Sequence, residues 1–151
     1  MNPEIKNILL AEDDVHDVEL TMAALAEHHL AKRIVIVRDG AEALDYLYCR
    51  RQFEARTSGN PMLILLDLKM PKVNGLEVLK AIKADKDLKT IPIVVLTSSR
   101  ETPDLIECYR HGVNAYVVKP VNFSDFMKAV KQVGVFWAAV NEPPPDVCVG
   151  N

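Results

Sequence analysis

Apolar residues gather in five short runs along the chain: KNILLA (6–11), RIVIV (33–37), MLILLD (62–67), IPIVVL (91–96) and AYVVK (115–119). Most of these runs lack an alternation of apolar and polar positions. Such strands are covered on both faces, as in a parallel sheet. Between the runs the spacing becomes that of helices with one apolar face. Val15, Val18, Met22 and Leu25 follow the first run, Leu44, Leu47 and Tyr48 the second, and Leu76, Leu79 and Ile82 the third. A fourth helix opens near Pro103, which a first turn tolerates, and closes at Gly112, which suits the left-handed position after a helix. The fifth follows Asn122, a good N-cap, and sets Phe126, Val130, Val133 and Trp137 on one face. The order (βα)5 predicts an α/β fold with a doubly wound, five-stranded parallel sheet and right-handed crossovers. An eight-unit barrel would need a much longer chain. The pattern assigns residues 1–140 to one folded unit and 141–151, with its EPPPDV stretch, to an extended tail with no further domain. CRRQFEARTSGN (49–60) is the one long polar connection.

The third run ends abruptly on a carboxylate, Asp67. In open parallel sheets, function gathers at the carboxyl ends of the strands, where the strand order reverses. Glu12, Asp13 and Asp14 stand at such an end, as do Thr97 and Lys119. The flavodoxin-like strand order 2-1-3-4-5 would bring these residues together. Carboxylates in one cleft repel one another unless a proton or a cation intervenes. With oxygen ligands and no His or Cys beside them, the cation that fits is Mg2+ or Mn2+. A carboxylate beside that ion can attack phosphorus and form an acyl phosphate, while a Lys and a hydroxyl hold the phosphoryl oxygens. Asp13, Asp67, Thr97 and Lys119 supply one of each.

Composition narrows the partners. The chain has 151 residues, 49% hydrophobic and 26% charged, with a net charge of −3. Lys and Arg are scattered apart from Arg50-Arg51 and Lys128/Lys131, so the basic footprint of a nucleic-acid binder is missing. The N-terminus has no signal pattern and no apolar run approaches a membrane span, which predicts a cytoplasmic protein without membrane contact. Cys49, Cys108 and Cys148 are odd in number and lack metal-ligand spacing, so they read as reduced bystanders.

LLAEDD, LILLDLKMPKVNG, IVVLTSS and AYVVKP, taken together and in order, resemble the receiver domain of two-component response regulators over roughly residues 5–140. The intervals from Asp67 to Thr97 (97 − 67 = 30) and to Lys119 (119 − 67 = 52) are typical of that family. The resemblance implies phosphoryl transfer from a histidine kinase to Asp67. It implies Mg2+ or Mn2+ held by Glu12, Asp13, Asp67 and the backbone carbonyl of Lys69. It places Thr97 and Lys119 on the phosphoryl group, makes Thr97 and Tyr116 the switch pair, and makes Lys119–Pro120 a cis peptide. Such a protein catalyses only its own phosphorylation and dephosphorylation. The long loop before the third strand, SSRE, GVNAYVVKPV and the FW near the end resemble the small stand-alone regulators of phytochrome-type kinases. That likeness implies a bacteriophytochrome partner, a homodimer, and an interface using Val121, Asn122, Phe123, Phe136 and Trp137. An intermediate receiver or phosphate sink in a relay with a non-phytochrome kinase is the alternative.

Plainer readings stand beside several of these. Asp14 reads first as a helix N-cap, Met70-Pro71 as loop geometry, and Gly75 as a turn or close-approach residue. His28, His29 and His111 read as surface residues. Tyr116 reads equally as a switch or as a fixed half-buried aromatic. Phe136, Trp137 and Val140 either complete the core face of the fifth helix or form a patch that pairs with a second copy. Lys69 and Ser99, each two residues beyond a key position, leave the lifetime of the phosphoryl group open. A flavin carrier of the same fold would need a hydroxyl- and Gly-rich phosphate loop where AEDDVHD stands. A haloacid-dehalogenase-like phosphatase would need an Asp at Lys69. A receiver reduced to a binding module would not need the full set Asp13, Asp67, Thr97 and Lys119.

Overall fold

The computed structural model describes residues 7–27, 29–56 and 59–145. Five strands, β1 (Ile8–Ala11), β2 (Ile34–Val37), β3 (Leu63–Leu66), β4 (Ile93–Thr97) and β5 (Ala115–Val118), form one parallel sheet in the order β2-β1-β3-β4-β5. Helices α1 (Val15–Ala26), α2 (Gly40–Leu47), α3 (Gly75–Ala84), α4 (Thr102–Arg110) and α5 (Phe123–Val135) alternate with them. The expected fold class and strand order are those observed.

Two cores explain why the apolar runs do not alternate. Leu9, Ile64, Leu66, Ile93 and Val95 point to one face, against Tyr46 and Leu47 of α2, Val78, Leu79 and Ile82 of α3, and Cys108 of α4. Ile8, Leu10, Leu63, Leu65, Val94 and Leu96 point to the other, against Val18 and Leu25 of α1 and Phe126 and Val130 of α5. Each large aliphatic side chain buried this way contributes roughly 1.5–3 kcal/mol. The central strands β1, β3 and β4 are buried throughout, whereas the edge strands β2 and β5 are mostly half-buried. α1 and α5 pass closely at Gly134, where a Cβ would come within 2.2 Å of Leu25 Cδ2.

Local departures have physical causes. Val15 opens α1 but is exposed, whereas Val18 and Leu25 further along the helix are buried. The polar connection after α2 is anchored: Phe53 packs edge-on against Tyr46 at 5.2 Å, and the Arg56 guanidinium lies 4.2 Å from the same ring and donates to Tyr46 O at 3.0 Å. Past α5 the chain continues in a π-helical segment, Phe136–Val140, closed by Asn141 N–H donating to Phe136 O. Val133 and Trp137 pack on the core with Phe126 and Val130, as the periodicity predicts. Gly112 adopts φ +87° just after α4. Cys49 and Cys108 are free thiols, His29 is exposed, and His111 is half-buried with Nε2 3.5 Å from Glu107. Cys148, His28 and residues 146–151 of the tail lie outside the described residues.

Candidate functional site

The register of the sheet brings the strand ends together. Ala11 pairs with both Val37 and Leu66, so the residues after β1 and β3 emerge side by side. Glu12 N–H donates to Val37 O at 3.0 Å and Asp67 N–H to Ala11 O at 3.0 Å, which extends the ladder one residue into the site. At the other side Lys119 N–H donates to Thr97 O at 2.7 Å.

Beyond Glu12 the chain must turn into α1. Asp14 makes that turn as the N-cap, its Oδ1 accepting Asp17 N–H at 3.0 Å, so it serves the helix as the plainer reading expects. The turn leaves Glu12 buried and Asp13 exposed. Beyond Asp67 the loop folds back so closely that a Cβ on Gly75 would lie 2.1 Å from Asp67 O. Only glycine fits this approach, which places Gly75 among close-approach residues. Asp67 Oδ1 accepts Lys69 N–H at 3.4 Å, and Lys72 of the same loop takes a positive φ of 65°.

Glu12, Asp13 and Asp67 each offer a carboxylate oxygen within 4.8 Å of the others. Lys119 crosses this cluster. Its Nζ donates to Glu12 Oε1 at 2.5 Å, Asp17 Oδ2 at 2.7 Å and Asp67 Oδ2 at 3.4 Å. Burial, with the nearby Asp67 carboxylate, pushes Glu12 up to about 8 against the opposing pull of the Lys119 ammonium. Burial alone would lower Lys119, but its hydrogen bonds to Asp17 and Glu12 outweigh that and raise it, so the ammonium persists. An oxygen-only set of crowded carboxylates, partly neutralised by a single ammonium, is the chemistry a hard divalent cation fits.

The remaining predicted residues divide between this cleft and the surface. Thr97 is fully buried at the end of β4, and its Oγ1 accepts Ser99 N–H at 3.3 Å. Tyr116 is half-buried and its hydroxyl donates to Ser99 O at 3.0 Å. The Lys119–Pro120 peptide is trans, and no cis peptide occurs among the described residues, which corrects the expectation carried by the resemblance. A trans bond is the ordinary state of an X-Pro peptide. Val121, Asn122 and Phe123 are exposed, with Asn122 Oδ1 capping α5 through Asp125 N–H. Phe136 is exposed and meets Trp137 edge-on at 5.1 Å, whereas Trp137 turns to the core.

One participant, Asp17, had no part in the sequence expectations, and Ser99 entered them only through the lifetime of the phosphoryl group. Asp17 touches Lys119, and its place in the first turn of α1, three residues after the Asp14 cap, is the signal that could have found it. Ser99 is buried, with its hydroxyl donating to Asp104 Oδ2 at 2.5 Å and accepting Glu101 N–H at 3.3 Å. Nothing in local spacing marks that bond.

Residues 8–131 match the response regulator receiver domain family. Among curated proteins, the chain is 42% identical over 132 residues to the response regulator Rcp1 of Synechocystis, covering 87% of this chain and 88% of Rcp1. It is 41% identical over 137 residues to the probable methanogenesis regulatory protein FilR2 of Methanothrix harundinacea, covering 91% and 86%. Among solved structures, the phosphorylated cyanobacterial phytochrome response regulator RcpA aligns with a TM-score of 0.88 at 39% identity, covering 94% of this chain and 100% of RcpA. The Mn2+-bound form of Rcp1 aligns at 0.84 with 39% identity over 93% and 99%. The bacteriophytochrome response regulator RtBRR aligns at 0.75 with 55% identity over 95% and 86%.

Proposed function

The chain belongs to the response regulator receiver family, and from that premise we propose that Asp67 is its phosphoacceptor, charged by the phosphohistidine of a histidine kinase. The observation that carries this reading is the meeting of Glu12, Asp13 and Asp67 around the Lys119 ammonium at the strand ends. An Asp67 oxygen attacks phosphorus, the bond between phosphorus and the imidazole nitrogen breaks, and the electron pair leaves on the imidazole. The product is a mixed anhydride on Asp67, and water attacking the same phosphorus later returns the carboxylate and inorganic phosphate.

Glu12, Asp13, Asp67 and the backbone carbonyl of Lys69 would hold Mg2+ or Mn2+, the latter being the ion in the Rcp1 structure. Bound there, the ion supplies positive charge to the phosphoryl oxygens. Lys119 neutralises a further oxygen, and the Thr97 hydroxyl donates to another. To do so Thr97 rotates away from Ser99 N–H, which loosens the loop whose carbonyl holds Tyr116. The surface of α4, β5 and α5 then changes and carries the signal. The receiver unit acts through its own surface in this reading, with Val121, Asn122 and Phe123 meeting the kinase. The exposed Phe136, with Trp137 behind it, meets a second copy in a homodimer.

Likeness to RcpA and RtBRR supports a phytochrome-type kinase as the donor. The near-equal likeness to FilR2 favours a second reading, a relay intermediate or phosphate sink serving another kinase. Intact-mass analysis after incubation with acetyl phosphate tests the shared core of both. The expected result is one Mg2+-dependent, hydroxylamine-labile phosphoryl adduct on the native chain and none on Asp67→Asn. Labelling from phosphorylated phytochrome-type and other kinases then separates the two readings by rate.

A further inference from the structure

Lys119 brings three N–H donors into the cleft, and three carboxylates receive them. Its side chain is only 9% exposed, so the ammonium depends on those partners in place of water. Glu12 and Asp67 belong to the cluster whose oxygens converge within 4.8 Å, while Asp17 stands outside it. A divalent cation on Glu12 and Asp67 would compete for two of the three partners of Lys119 and leave Asp17 to the ammonium alone. In the resting geometry Nζ is 2.5 Å from Glu12, 2.7 Å from Asp17 and 3.4 Å from Asp67, so it already stands away from Asp67.

We propose that Asp17 is a positioning residue for Lys119, holding the ammonium on the α1 side of the cleft so that Asp67 stays open to metal and phosphoryl group. Its backbone suits the task. Asp17 N–H is fixed by the Asp14 cap, and its carbonyl accepts the hydroxyl of buried Thr21 at 2.7 Å, so the carboxylate projects from a rigid first turn. Without Asp17, the ammonium is left with Glu12 and Asp67 and moves in on both. There it competes with the metal for the same carboxylates and draws electron density from the nucleophile. The inference rests on Asp67 as phosphoacceptor only for this last consequence; competition with the metal stands apart from it.

The test is a double-substitution cycle at physiological salt, with Mg2+ affinity read by titration calorimetry for the native chain, Asp17→Asn, Lys119→Gln and the pair. Asp17→Asn is expected to weaken Mg2+ binding about fivefold alone but less than about twofold on the Lys119→Gln background, where only the screened charge of Asp17 is lost. Asp17→Glu, which keeps the charge, restores most of the affinity. Equal losses on both backgrounds overturn the proposal, because Asp17 would then act as a through-space charge or a structural prop and not through Lys119. The two readings separate cleanly. A native chain that binds Mg2+ with the expected cycle yet takes no phosphoryl group from acetyl phosphate defeats the phosphoacceptor reading alone. Normal labelling with equal losses defeats the role of Asp17 alone. The substitution leaves the α1 cap intact, since that cap uses the Asp17 backbone N–H.

Discussion

The acidic cleft and helix α4 are held in opposite ways. In the cleft, Glu12, Asp67 and Thr97 are each buried at a strand end, and the ladder bonds of Glu12, Asp67 and Lys119 continue the sheet into the site. α4 buries only Cys108. α1, α2, α3 and α5 are capped by the side chains of Asp14, Asp39, Asn74 and Asn122, but Glu101 at the N-cap of α4 makes no such bond. Leu105, Ile106 and Tyr109 leave its outer face apolar and exposed. What ties α4 to the site is the bond from Ser99 Oγ to Asp104, and Ser99 also meets Thr97 and Tyr116. Groups that must keep geometry for chemistry thus sit on the most cooperative part of the fold. The element that the proposed switch moves is fastened by polar contacts worth roughly 1 kcal/mol apiece, within reach of a local switch.

If the cleft is that rigid, its strain should appear as pH-dependent stability. Glu12 is raised to about 8 from 4.5, chiefly by burial, so the folded state holds a proton that the unfolded state releases. Stability from this group is full below about 4.5 and is lost as pH rises towards 8, by on the order of 3–5 kcal/mol at the upper limit. Urea denaturation of the metal-free chain at pH 5 and pH 8 should show the fall. Glu12→Gln should flatten it, and millimolar Mg2+ should restore stability at pH 8. An equal slope in Glu12→Gln would place the strain elsewhere.

Gly75→Ala comes next. A Cβ 2.1 Å from Asp67 O forces the β3–α3 loop away from the strand end, at a cost of about 2–3 kcal/mol. Denaturation measures that cost, and acetyl phosphate labelling should slow, because the displaced backbone carries Asp67. Loss of stability with unchanged labelling would show that the cleft tolerates more movement than its burial implies.

Much of this contrast could be read in the sequence, and the limit is physical. Strand runs such as LILL and IVVL are legible because both faces are buried, and Asp67, Glu12, Asp13 and Lys119 because a charge ending such a run has no apolar explanation. Asn122 and Asp14 are legible as caps because capping is local in sequence. Asp17 was missed because an acidic residue in a first turn is also what the helix dipole favours. Contacts such as Tyr116 to Ser99 join residues from different elements, and the Arg56 cation stacked on Tyr46 gives the polar loop an order its composition hides.

The two smallest changes address α4 directly. Asp104→Ala removes the Ser99 bond and should cost about 1 kcal/mol, with faster amide exchange confined to α4 and its preceding loop. Labelling at Asp67 should persist, since Asp104 reaches the cleft only through Ser99 and bonds none of Glu12, Asp13, Asp67, Thr97 or Lys119. Unchanged exchange would mean that Cys108 alone holds the helix.

Glu101→Asp runs the other way. The backbone at Glu101, φ −71° and ψ 131°, is already that of an N-cap, and a shorter carboxylate can reach the free N–H groups that glutamate does not bond. The expected gain is about 0.5–1 kcal/mol, seen as slower exchange in the first turn of α4. The cleft is untouched, so phosphoryl uptake should stay the same while the chemical-shift change of α4 on phosphorylation becomes smaller. Such a split would show that looseness in α4 is what lets a change at Asp67 be read at the surface. A full shift in a better-capped helix would instead place the moving part in β5 and its loop, where Tyr116 and the exposed Val121 and Phe123 lie.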